Sequence, residues 1–154
     1  MMTDQDSAKV QVPPPFVLLG SILVGVGLHL FFPLHFIVQF RWVFAGLLMC
    51  VGLGTVSYCV WMFRKAQTAI QPWKATSRIV TSGPYRWSRN PIYLSFVLIG
   101  IGLAWALDNL WILMMQIPVI IVINHFVIRK EERYLVEKFG ERYKAYKARV
   151  RRWI

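Results

Sequence analysis

Between Arg41 and Arg64 the chain runs for 22 residues without a charge. As a helix that run rises about 33 Å, enough to cross the hydrocarbon of a bilayer. Further apolar runs occupy about 16–33, 92–107 and 110–128. In lipid a helix satisfies its own backbone hydrogen bonds. The expected fold class is therefore all-α: a polytopic integral membrane helical bundle of about four transmembrane helices, forming one domain over residues 1–154. The third run is marginal in length, which implies a thinned bilayer or a helix partly shielded from lipid. Pro13, Pro14 and Pro15 mark the start of the first span, and Pro118 is the expected kink in the fourth. The first run follows a segment with Asp4 and Asp6 rather than a basic one, so it reads as a span and not as a cleaved leader.

Charge gives the orientation. The chain carries 18 Lys and Arg against 7 Asp and Glu. Six of the basic residues lie in 64–91 and ten in 129–152, while the turns at 34–40 and 108–110 have none. The basic segments, and with an even span count both termini, are expected on the cytoplasmic side. Basic residues flanking spans suit anionic headgroups, and nucleic acid is excluded as a partner on that patterning. Cys50 and Cys59 share one helix and stand too far apart for a disulfide, and no metal spacing occurs. In the tail, Leu135, Phe139, Tyr143, Tyr146 and Val150 recur at helical steps, so a C-terminal amphipathic helix is expected.

Two segments concentrate chemistry-bearing groups. Gly83-Pro84-Tyr85 makes a turn, and Arg89-Asn90-Pro91 opens the third span with proline in its first turn. The free N–H groups of that helix end, with Arg86 and Arg89, suit an anion. The alternative is a basic loop that only meets lipid. Glu131-Glu132 follows the fourth span at a basic boundary. The pair suits hydroxyls or an ammonium group, or else local pairing with neighbouring arginines. Gly100 and Gly102 permit close approach of a ligand or another helix. His125 with Asn124 suits the cytoplasmic site. His29 and His125 sit at different depths, which speaks against a shared haem.

Taken in order, these motifs resemble the isoprenylcysteine carboxyl methyltransferase family, and more distantly the phospholipid N-methyltransferases. The resemblance rests on Gly83-Pro84-Tyr85, on Arg89-Asn90-Pro91-Ile92-Tyr93, and on Glu131-Glu132 followed by Phe139-Gly140-Glu141-Arg142-Tyr143-Lys144-Ala145-Tyr146. It covers about residues 76–150. It implies a methyltransferase that uses S-adenosylmethionine at a membrane-embedded site on the cytoplasmic side. Carried over by position, it implies that Tyr85, Asn90, Pro91, Tyr93, Gly100, Gly102, His125, Glu131 and Glu132 surround the cofactor. Arg89 and Glu132 take the catalytic roles. The family's usual histidine is Asn90 here, which can hydrogen-bond but cannot titrate near neutral pH. The implied acceptor is a lipid or isoprenoid from the bilayer: a prenylated cysteine carboxylate, an isoprenoid acid or a phospholipid amine. A non-catalytic membrane binding or assembly protein of the same fold is the alternative. A small transporter is disfavoured, because Asp108, the one acid between Asp6 and Glu131, falls in a turn on the far side. Oligomeric state is not legible in the sequence.

Overall fold

The structure, a computed structural model, describes residues 8, 10, 13–71 and 74–154. The loose segment expected at 1–12, apart from Ala8 and Val10, and the turn residue Pro72 lie outside the described residues. Among those described, every regular element is helical: α1 (Pro14–Phe31), α2 (Arg41–Lys65), a 3-10 turn (Gly83–Arg86), α3 (Pro91–Ala106), α4 (Leu110–Val122), a π segment (Ile123–Ile128), α5 (Arg129–Phe139) and α6 (Glu141–Arg149). Three helices are long and apolar enough to cross a membrane: α1, α2 and the continuous rod Leu110–Phe139. The fourth, α3, is apolar but has only 16 residues.

Local chemistry sets the boundaries. Proline opens α1 and α3, where the missing N–H costs nothing. Asn109 caps α4, its Oδ1 accepting from the Ile112 N–H at 3.1 Å. The tail is not the single amphipathic helix expected over 129–152. Gly140 adopts φ +54°, ψ −128°, a conformation open to glycine, and it breaks the tail into α5 and α6. Pro118 lies inside α4, and the fourth span changes from α to π geometry at Ile123.

α3 lies between α2 and α4, and α1 packs on α4. Its buried residues run from Pro91 through Tyr93, Ser95 and Val97 to Ala104. Enclosure by protein accounts for its tolerance of a short apolar length. Small residues make the seams. A Cβ on Gly25 would stand 2.9 Å from the Ile112 backbone, and one on Gly52 3.1 Å from the Ser95 carbonyl oxygen. The outward faces of α1 and α2 carry exposed Phe16, Leu23, Leu30, Trp42, Leu47 and Val51, a surface suited to lipid.

The end of the bundle away from the basic segments is tied by one acid. Asp108 pairs with Arg41, and its carboxylate accepts from the Phe36 N–H at 3.0 Å and lies 3.1 Å from His35 Nδ1. The Leu110 N–H donates to the Leu34 carbonyl at 3.1 Å, and Trp111 Nε1–H to that of Phe32 at 2.7 Å. These bonds clamp the α1–α2 loop against the α3–α4 turn.

Candidate active site

At the opposite end, the polar groups of the two basic segments meet. Gly83 takes φ +57° beneath α2, where a Cβ would fall 2.8 Å from Met62 Sδ. That close approach seats Tyr85 in the core. The Tyr85 carbonyl accepts from the Tyr146 hydroxyl of α6 at 2.8 Å. The chain then turns into α3 and presents Arg89, Asn90 and Tyr93 to α5.

Two pairings decide the electrostatics. Tyr93 donates its hydroxyl hydrogen to Glu131 Oε1 at 2.7 Å. Arg89 Nη2 donates to Glu132 Oε1, also at 2.7 Å. Glu132 further accepts from Arg152, through Nε at 3.1 Å and Nη2 at 2.6 Å, and Lys147 Nζ lies 3.6 Å away. The two acids, outside the apolar part of the rod, therefore differ in character. Burial pushes the Glu131 carboxyl up to about 7, helped by the charge of Glu132 and opposed by the Tyr93 hydrogen bond. Burial acts upward on Glu132 too, but hydrogen bonds from Arg152 and Arg89 outweigh it and hold this carboxyl below the usual range. Arg89 Nη1 donates to the carbonyls of Lys147 and Val150, while its buried Nε has no hydrogen-bond partner among the described residues.

Arg89, Tyr93, Glu131 and Glu132 line a cavity with about 810 Å³ of empty space, part of it open to solvent. Arg89, Asn90, Tyr93, Glu131 and Glu132 supply its polar side. Phe63, Ile70, Ile79, Val80, Ile92 and Leu135 supply its apolar side.

Of the residues expected at the site, Tyr85, Asn90, Tyr93, Arg89, Glu131 and Glu132 converge on this cavity. Pro91 is buried beside it at the first turn of α3. The other three are placed elsewhere. Gly100 packs against the Gln116 side chain of α4, and Gly102 against Ala45 and Met49 of α2. His125 is exposed, with its ring edge-on to Phe126 at 5.1 Å. Arg78 and Thr76 of the loop and Tyr134 of α5 also line the cavity, and Arg152 stands behind Glu132. Nothing in the sequence separates Arg152 from the other nine basic residues of the tail.

The model of the phospholipid methyltransferase family matches residues 40–142, which include Arg89, both glutamates and the cavity's apolar side. The chain belongs to this family. An uncharacterised Haemophilus influenzae protein is 44% identical over 63 residues, 41% of this chain and the whole of that protein. The Saccharomyces cerevisiae protein-S-isoprenylcysteine O-methyltransferase is 40% identical over 80 residues, 47% of this chain and 30% of that enzyme. The chain thus matches under a third of the yeast enzyme's length. No solved structure matches. Membership in the phospholipid methyltransferase family agrees with the expectation drawn from the Gly-Pro-Tyr and Glu-Glu motifs.

Proposed function

We propose that this protein is an S-adenosylmethionine-dependent methyltransferase acting on a lipid-like acceptor. Its helices Pro14–Phe31, Arg41–Lys65 and Pro91–Ala106 and the stretch 110–128 span the bilayer in this reading. The basic loop and both termini then face the cytoplasm. The observation that carries the reading is the mixed lining of one cavity: the acids Glu131 and Glu132 and the cation Arg89 together with six apolar side chains.

The residues present suit this donor. S-adenosylmethionine brings a sulfonium-activated methyl group, an ammonium and a carboxylate. Glu131, whose hydrogen-bond partner among the described residues is the Tyr93 hydroxyl, is the acid available to an ammonium. Arg89, a cation in the cavity lining, is available to a carboxylate. Tyr93 fixes the direction of the Glu131 carboxyl. Phe63, Ile92 and Leu135 exclude water and receive an apolar acceptor, so alignment carries most of the rate enhancement. A carboxylate acceptor is already a nucleophile. An amine acceptor must lose a proton, and Glu131, near pKa 7, is the cavity residue suited to receive it.

Calorimetry with purified protein should show binding of S-adenosylhomocysteine, weakened strongly by Glu131→Gln. Tritiated methyl transfer into a membrane lipid extract should then label a lipid or isoprenoid product. Absence of both binding and transfer refutes the proposal.

A further inference from the structure

The segment from Val150 to Trp153 is held by the site itself. Three consecutive carbonyls of this segment accept hydrogen bonds from residues 88–90. The Val150 carbonyl takes Arg89 Nη1, that of Arg151 takes the Arg89 backbone N–H at 3.0 Å, and that of Arg152 takes Asn90 Nδ2 at 2.9 Å and Ser88 Oγ at 3.3 Å. Trp153 packs on the cluster that contains Tyr93 and Ile128. The Arg152 guanidinium uses all three nitrogens: Nε and Nη2 on the two oxygens of Glu132, and Nη1 on Asn124 Oδ1 at 3.2 Å. The planar fork of arginine suits this three-way contact, and a lysine ammonium does not reproduce it.

We propose that residues 150–153 form a strap that sets the geometry of the cavity wall, with Arg152 as a positioning residue for Glu132 and Arg89. The proposal rests on reading the cavity as the methyl-donor site. Arg152 is not among the side chains lining the cavity, so it acts through Glu132. Glu132 Oε1 is shared between Arg89 Nη2 and Arg152 Nε, so removing Arg152 frees the carboxylate to turn and lets the Arg89 head group move with it. The Arg89 side chain, part of the cavity lining, then loses its fixed position. The strap also gives Asn90 a task that needs no titration: its amide donates to the Arg152 carbonyl at any pH. Asn90 thereby joins the strap to the start of α3.

The test uses the full chain in detergent micelles, with Arg152→Ala and Arg152→Lys. In ligand-free protein, hydrogen exchange of the Arg89 and Asn90 amides should speed up about tenfold in Arg152→Ala, as expected for the loss of one or two net hydrogen bonds. S-adenosylhomocysteine affinity should fall roughly 10²-fold, the scale of a misplaced binding group. Arg152→Lys should recover only part of both, and added methylguanidinium should restore binding to Arg152→Ala. Arg152→Ala combined with Glu132→Gln should cost no more than the worse single change. Unchanged exchange at 89–90, or losses that add in the double variant, overturns the strap. If the wild-type protein fails to bind S-adenosylhomocysteine, the methyl-donor reading falls, and the exchange measurement still decides the strap.

Discussion

Replacing Glu132 by alanine should destabilise the protein by about 3 kcal/mol, and acid should erase the difference. Breaking a buried ion pair by removing one partner costs about 3–5 kcal/mol, because the remaining charge stays desolvated. Here the side chain of Arg89 is 8% exposed, but those of Arg152 and Lys147 are 31% and 45% exposed. The latter two turn into water, so their share stays near the surface scale of about 0–1 kcal/mol. Arg89 carries most of the loss, which puts the total at the lower end of the buried range. The sign with pH comes from the direction of the shift. The Glu132 carboxyl is held below its ordinary value of 4.5, so its stabilisation is complete above that value and is lost as pH falls through the lowered one. Reversible unfolding by denaturing detergent, at fixed lipid content, should show the gap at pH 7 and a shrinking gap on acidification below 4.5. A gap under about 1 kcal/mol at pH 7, or one that widens in acid, refutes the reasoning.

The same geometry sets three further outcomes. Glu131 has its carboxyl raised to about 7, so binding of a cationic donor should strengthen as pH rises through 7. A calorimetric pH series should lose that step in Glu131→Gln. Gly100→Ala places a methyl group 2.6 Å from the Cδ atom of the buried Gln116 and should cost about 1–3 kcal/mol, read by thermal unfolding. Donor affinity per folded molecule should stay unchanged, and a selective loss of affinity would return Gly100 to the ligand. Asp108 is lowered to about 2 by its bonds to Arg41, the Phe36 N–H and His35. The clamp it makes should hold above its ordinary 3.8 and loosen as pH falls toward 2, read as faster hydrogen exchange at the Phe36 amide.

The apolar runs and the basic segments were legible because bilayer thickness and charge asymmetry act on composition alone. The spans read at 42–63 and 110–128 fall within α2 and within the rod from α4 to α5. The grouping of Arg89, Tyr93 and the glutamates was legible through motif order. The break at Gly140 was not, since the spacing of Leu135, Phe139, Tyr143 and Tyr146 fits one helix as well as two. A glycine in a helical pattern announces a positive φ only after the neighbours are placed. Gly100 and Gly102 were ambiguous for a related reason: a glycine permits close approach without saying what approaches, and here helices do. The π segment at Ile123–Ile128 has no residue signature, yet it precedes α5 and holds Asn124, the partner of Arg152. Such segments cluster at functional sites because the extra residue re-aims the helix beyond it.

Adjacent glutamates invite treatment as one unit, and the helix argues against that. Successive residues on an α-helix point about 100° apart, so Glu131 faces Tyr93 while Glu132 faces Arg89 and the strap. One carboxyl is desolvated with a neutral partner, and the other is held by two guanidinium groups. Environments that push two like groups in opposite directions assign them different work. Glu132, already neutralised by the chain's own cations, has little negative charge left for a ligand. Among the described residues, no basic side chain is bonded to Glu131. A loss of donor binding in Glu132→Ala therefore combines a destabilised fold with a displaced Arg89. Glu131→Gln preserves shape and the bond from Tyr93 and removes only the charge. It is the substitution that separates contact with the donor from support of the wall.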